Sequence, residues 1–449
     1  MEEKLILTEG KVTTTVLKFA IPFLLASLLQ SLYGAADLLI VGQFSNTAGV
    51  SAVATGSQVM QTITGVILGL TTGGTVLIGQ YLGAKKDKEV SKTIGAMISI
   101  FTILSVVLTV IMVSFSGEIT ELMHTPEEAI KFTKQYILIC SIGIPFIVGY
   151  NVVSGILRGL GNSKVPLYFV AIACVINIIV DIILVGVFKM GAMGAAIATI
   201  SSQGVSLILG CIYIAKSKFA VRFKRKYIGF KSGKTSNILK LGLPIAMQDG
   251  LINISFLIIT VIMNNMGLIE SAAVGVVEKI IIFAMLIPSA FAAAIAVMTA
   301  HNMGAGKIER AKKSLYVGIG SSLIFGLLFS LYAHGFGSTL TSMFTTDTEV
   351  IVAAELYLKA YSIDCILVSL VFCMNSFFSG CGHSMFPMIH SCIATFLVRI
   401  PGSYILSNIK GITLYEMGFA APVATLLSSI MCIVYFYSGK WMKNKIVDF

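Results

Sequence analysis

Charge is scarce in this chain. Of its 449 residues only 12% are Asp, Glu, Lys or Arg, about half the ~25% of an average soluble protein. That shortage excludes a disordered chain and an ordinary soluble domain of this size. Proline (9) and tryptophan (1) are also sparse. The eight cysteines, Cys140, Cys174, Cys211, Cys365, Cys373, Cys381, Cys392 and Cys432, are scattered, with no Cys-x-x-Cys pair and no ligand spacing to the five histidines. They read as buried thiols, and a disulfide scaffold is excluded. No Gly-x-x-x-x-Gly-Lys phosphate loop occurs, which argues against ATP as the energy source. No cleavable leader is evident either, so the first apolar run, from Phe19, is expected to be retained.

What is present is apolar: 56% of residues, with 42 glycines and a mean hydropathy of +0.92. These values point to a polytopic membrane protein. Helical spans need roughly 20 apolar residues each, and twelve such runs are found. Their limits are 19–41, 53–82, 93–115, 132–157, 165–188, 194–215, 241–266, 272–300, 314–337, 351–378, 386–408 and 417–439. The second, eighth and tenth are long enough to tilt.

The basic excess, 32 Lys and Arg against 21 acids, follows the loops. Twenty-five of the 32 lie in the terminal segments and every second connection, whereas the opposite loops hold Glu118, Glu121, Glu127, Glu128, Asp347 and Glu349. The positive-inside rule then places both termini in the cytoplasm, as an even number of spans requires. The basic connection Lys216 to Lys240, with Phe219, Phe223, Tyr227 and Phe230, reads as a topology determinant attracted to anionic lipid. A nucleic-acid patch is not expected there.

The two halves repeat at an offset near 221. Gly79-Gln80-Tyr81-Leu82-Gly83-Ala84-Lys85-Lys86 meets Ala300-His301-Asn302-Met303-Gly304-Ala305-Gly306-Lys307, and Gly159-Leu160-Gly161-Asn162-Ser163 meets Gly380-Cys381-Gly382-His383-Ser384. Pro22 falls beside Pro244. The expected fold is therefore all-α, with twelve transmembrane helices in two six-helix lobes related by a pseudo-two-fold axis along the membrane normal. The expected divisions are 1–215 for the first lobe, 216–240 for the linker and 241–449 for the second lobe.

Seven ionisable residues fall inside spans: Asp37, Asp181, Asp249, Glu278, Lys279, Asp364 and Arg399. Each costs at least about 2.5–3.5 kcal/mol at mid-membrane, so each needs a partner, water or a proton. Gln30, Tyr33 and Gly34 share a helical face with Asp37, and Asn177 shares one with Asp181. With Asn151 and Thr199 at comparable depth, these residues form a candidate hard-oxygen site for Na⁺ or for a shared proton. Interhelical hydrogen bonding is the plainer role open to the asparagines. The acids Asp37 and Asp181 have no counterpart in the second half, where the corresponding positions are near Ile258 and at Gly402. Asp249 and Asp364 are expected near span starts and partly wetted, and Arg399 is a candidate partner for one of the second-half acids. Pro22 weakens the first span before Asp37 and makes it a candidate hinge.

These features resemble the MATE (multidrug and toxic compound extrusion) transporters over essentially the whole chain. The resemblance is carried by Pro22 with Asp37, Gly79 to Ala84, Arg158 to Ser163, Asn177-x-x-x-Asp181 and the duplication. The first-half pattern is similar to the DinF-like branch. The resemblance implies a V-shaped pair of lobes. It also implies secondary export of organic cations or amphipathic drugs in exchange for Na⁺ or H⁺, by alternating access. Asp37, Asn151, Asn177, Asp181 and Thr199 match that branch's cation site, and Pro22 its bending proline. A second branch uses second-lobe acids, near Asp249 and Asp364.

A substrate cavity lined by Gln30, Tyr33, Gln58, Gln61, Asp249, Glu278 and Asp364 is expected, with an anionic balance suited to cations. Lipid or lipid-linked sugar flippases of the same superfamily are the alternative. No enzyme activity, cofactor or further metal is expected. The chain is expected to be a monomer in the cytoplasmic (inner) membrane, with lipids and drug-like cations as partners and no nucleic acid.

Overall fold

The computed structural model describes residues 7–217, 227–229 and 233–443. Most of the basic connection, including Phe219, Phe223 and Phe230, lies outside these residues, as do Lys4 and Lys445. Among the described residues there are helices and turns and no strand.

Twelve membrane-length elements follow in order. The first six are α1 Val12–Phe44, α2 Thr47–Gly83, α3 Asp87–Ser114, α4, α5 Lys164–Val187 and α6 Gly191–Lys216. The second six are α7 Lys234–Met266, α8 Leu268–Gly304, α9 Ile308–Thr341, α10 Thr348–Gly380, α11 Met385–Ser407 and α12 Leu414–Tyr437. Element α4 is a broken span, Glu127–Ile142 and Ile144–Gly159, bent by 49°. Its break has a local cause. Pro145 opens the second piece, and a methyl on Gly143 would lie 2.3 Å from the Ile200 side chain, so only glycine lets α6 approach there.

Several helices begin before their apolar runs. Helix α1 starts at Val12, not near Phe19, and α7 at Lys234, not near Leu241. An apolar run measures the thickness of the hydrocarbon slab; a helix can continue beyond it wherever packing supports it. Here Val16 and Phe19 are fully buried. Helix starts are capped by side chains: Asn46 accepts from Gly49 N at 2.9 Å, and Asp347 from the Glu349 and Val350 amides.

The chain forms two compact units, and the division differs from the one expected from the linker. One unit takes in Leu25–Ala246, the other Ile6–Leu24 and Met247–Phe449. Both crossings lie inside helices, two residues after Pro22 in α1 and two after Pro244 in α7. A proline removes the helical donor for the carbonyl four residues earlier. The sequence points to the prolines; the packing that assigns each helix end to a unit is long-range.

In the first unit, the early part of α7 packs against α2 through small residues. A methyl on Gly73 would lie 2.5 Å from Gly242 N and 2.6 Å from Ile238 O, and one on Gly69 2.6 Å from the Ala246 Cα. Such small-residue faces let membrane helices approach backbone to backbone. The same end of α7 is tied by Lys234, whose Nζ lies 2.7 Å from Glu89 Oε2 and donates to Tyr81 OH at 2.7 Å. In the second unit, the segment before α1 is held by the start of α9. Arg310 Nη1 donates to Gly10 O at 2.7 Å, Arg310 Nη2 to Glu9 O, and Lys307 Nζ to Thr8 O at 2.9 Å.

The duplication holds at atomic detail. Gly159 packs on Thr75 O and Ile78; Gly380 packs on Ala296 O and Thr299, each partner displaced by the same 221 residues. Gly161 (φ 87°) and Gly382 (φ 95°) both take the left-handed conformation that ends α4 and α10. Of the eight free cysteines, Cys211 is exposed and Cys392 half-buried; the rest are buried.

Candidate cation site and second-unit cavity

The first unit gathers the predicted acids. Asp37 from α1 and Asp181 from α5 are both buried and meet side chain to side chain. Thr199 Oγ1 of α6 donates to Asp37 Oδ2 at 3.1 Å. Asn177, one turn before Asp181, also lies against Asp37. None of these contacts satisfies the remaining atoms. Asp37 Oδ1, both Asp181 carboxylate oxygens and both polar atoms of the Asn177 amide are buried without a hydrogen-bond partner among the described residues.

Each such orphan costs about 1–3 kcal/mol, and four of the five are oxygens. An excess of buried acceptors is met by a proton or by a hard cation, because either turns mutual repulsion of the carboxylates into attraction. Asp181 closes the α-helical part of α5; the next turn, Ile182–Val187, is π-helical. Turns of that kind recur at functional sites, where they redirect a helix face.

Asn151 is placed differently from the other four. It is buried on α4, but its Nδ2 donates to Ile147 O at 2.8 Å, within its own helix. Among the described residues it makes no hydrogen bond to the acids. Tyr33, expected on the helical face of Asp37, faces Asp37 and Gln203. Gln203 and Tyr136 were not anticipated: Tyr136 faces Asp37 and Cys140, and its OH lies 3.1 Å from Ser57 Oγ. A signal for them existed: Tyr33/Asp37, Tyr136/Cys140, Asn177/Asp181 and Thr199/Gln203 are all polar pairs four residues apart, each on one helical face.

The second unit places its charges around a cavity of about 170 Å³. Asp364 of α10 and Arg399 of α11 line it, together with Tyr361, Asn375 and Gln248. Asp364 is buried at the middle of α10, a correction to its expected place near a wetted span start. Arg399 ends the π-helical turn Thr395–Arg399, two residues before Pro401. Proline cannot supply the usual helical donor, and the wider turn accommodates it.

A model of the family described as MatE matches residues 22–183 and 244–405, one segment in each half and most of the chain. The chain belongs to the MatE family. Among its relatives, a probable multidrug resistance protein of Bacillus subtilis, YpnP, is 28% identical over 445 residues, covering 98% of each chain. A second from the same organism, YoeA, is 27% identical over 435 residues, covering 95% of this chain and 94% of that one. The fold is similar to a solved MOP superfamily transporter from Pyrococcus furiosus, with a TM-score of 0.90, 20% identity and 98% of each chain covered. MatE proteins are transporters and not enzymes.

The remaining residues expected in this MatE chain's substrate cavity are dispersed. Gln30, Gln58 and Gln61 are exposed and Tyr33 half-buried, all in the first unit. Asp249 is exposed at the middle of α7, again not near a span start, and Glu278 is half-buried on α8 within range of the Arg399 charge. Of the expected set, Asp364 alone lines the second-unit cavity. Pro22 is buried within α1.

Proposed function

We propose that the chain is a secondary multidrug efflux antiporter that exports organic cations or amphipathic drugs in exchange for Na⁺ or H⁺ by alternating access. The observation that carries this reading is the buried excess of acceptors at Asp37, Asp181 and Asn177, beside the Thr199–Asp37 hydrogen bond. Asp37 and Asp181 bind the coupling cation directly, Thr199 and Asn177 complete its oxygen shell, and Asn151 shapes the site from behind. Binding neutralises the carboxylate pair and thereby stabilises one conformation of the first unit over the other. Pro22 gives α1 a point at which to bend in response. The relatives named multidrug resistance proteins support drugs as cargo, and the first-half pattern fits the DinF-like branch. The basic loops and both termini face the cytoplasm from the inner membrane, where the chain acts as a monomer among lipids.

The test is ethidium movement in proteoliposomes under separately imposed Na⁺ and H⁺ gradients. Wild type is expected to exchange ethidium under at least one gradient, and Asp37→Asn and Asp181→Asn to lose at least roughly tenfold in rate, the equivalent of ~1.4 kcal/mol. Wild-type exchange by both variants would remove the carboxylates from coupling. Lipid scrambling without ethidium movement would favour the flippase alternative.

A further inference from the structure

The second-unit cavity contains charges that coupling at Asp37 and Asp181 leaves unused. Its volume, about 170 Å³, is close to the ~150 Å³ that admits one benzene ring in an engineered protein cavity. It therefore takes one ring or head group of a larger molecule. Ile252, Val368 and Phe372 supply apolar wall.

Arg399 is presented to this space as an open fork. Its Nη2 donates to Tyr361 OH at 3.1 Å, and its guanidinium carbon sits 4.4 Å from the centre of the Phe256 ring. The aromatic covers the face and leaves the edge, including the buried Nε, which has no hydrogen-bond partner among the described residues. A guanidinium edge matches a carboxylate with two parallel hydrogen bonds. Among the described residues no carboxylate approaches Arg399 within 4.0 Å. Yet Asp364 lines the same cavity, its Oδ1 without a hydrogen-bond partner among the described residues. Were Arg399 only a counter-ion for Asp364, a closed ion pair would be the lower-energy arrangement, because a buried charge left unpaired is costly. A purely cationic ligand meets Arg399 and a purely anionic one meets Asp364; a ligand bearing both charges satisfies both sides.

We propose that the cavity binds the charged end of a zwitterionic amphiphile, with Arg399 holding its carboxylate and Asp364 its cationic nitrogen. Such a ligand presupposes the efflux function proposed above and narrows its substrate class.

The test is binding in lipid nanodiscs, read by fluorescence anisotropy against empty nanodiscs, with rhodamine B, a zwitterion, and rhodamine B ethyl ester, the matched cation. Arg399→Gln is expected to weaken the acid about tenfold or more, as loss of a hydrogen bond to a charged group does, and to change the ester less than about twofold. Arg399→Lys keeps the charge without the fork and is expected to give an intermediate acid-to-ester ratio. Equal weakening of both probes, or no change in either, overturns the proposal. If Arg399→Gln does not fold, an unchanged ratio in Arg399→Lys overturns it instead. Binding needs no gradient, so failed coupling at Asp37 and Asp181 would leave this result standing, and the reverse also holds.

Discussion

The two units carry different unmet polar groups on one duplicated scaffold. In the first, the unmet polar atoms are chiefly acceptors: Asp37 Oδ1, both Asp181 oxygens and Asn177 Oδ1. In the second, an unmet donor, Arg399 Nε, shares the cavity with one unmet acceptor, Asp364 Oδ1. At the 221-residue offset that pairs Gly159 with Gly380, Asn177 corresponds to Val398, next to Arg399. The guanidinium of the second half thus stands one residue from the position of the amide in the first. The π-helical turn moves as well: it follows Asp181 in α5 but ends on Arg399 in α11. Duplication kept the helix packing and left the charges free to diverge, which is the basis for proposing a cation site in one unit and a site for a bipolar molecule in the other.

The sharpest way to break this division is to exchange the readouts. Asp181→Asn should abolish gradient-driven exchange, at least about a tenfold loss, while rhodamine B binding in nanodiscs stays within about twofold of wild type. Arg399→Gln should do the converse to exchange of the ethyl ester, leaving its coupling intact. If Asp181→Asn also removes rhodamine B binding, the units do not divide the work.

Within the first unit, Thr199→Val deletes the hydroxyl that donates to Asp37 at nearly constant volume. Hydrogen bonds to charged groups are worth about 1.5–3 kcal/mol, so the half-maximal Na⁺ or H⁺ concentration for exchange should rise roughly tenfold. Thr199→Ser should restore most of it, and an unchanged value would take Thr199 out of the shell.

Scaffold contacts should behave alike in both halves. Gly159→Ala would drive a methyl to 2.9 Å from Thr75 O, and Gly380→Ala one to 2.7 Å from Ala296 O. Each is expected to lower stability by about 1–3 kcal/mol, measured as a fall in the thermal midpoint in detergent. A large effect in one half alone would show that the shared packing has diverged too. At the bottom of the scale, Lys312→Ala removes a pair with the largely exposed Glu309 and a 5.9 Å approach to the Trp441 ring. Each such contact contributes about 0–1 kcal/mol, and no shift beyond their sum is expected.

Much of this was legible in the residues. Long apolar runs marked the helices, because a membrane demands them, and the repeat was visible in its glycine-rich helix ends. Asp37 and Asp181 stood out because a buried charge is costly, and the structure brings both together with Thr199. Asn151 illustrates the limit: depth along a span is readable, but the direction of an amide is not, and this one bonds within its own helix. Tyr136 and Gln203 carry no charge, and the signal they offer is a four-residue spacing from Cys140 and Thr199. Asp364 and Arg399 were visible as charges. The space between them depends on how α10 and α11 pack, which no local pattern encodes.

The crossing of α1 and α7 between units has a consequence for biogenesis. A ribosome that has released everything up to Lys216 has made six spans but not a finished first unit. The faces of Gly69 and Gly73 stay bare until Ile238, Gly242 and Ala246 emerge. Likewise, the opening stretch Leu7 to Gly10 must wait for Lys307 and Arg310, some three hundred residues later. Each half of the duplicated gene product made alone is therefore left with an uncovered face, and two separately translated halves would have to meet to cover it.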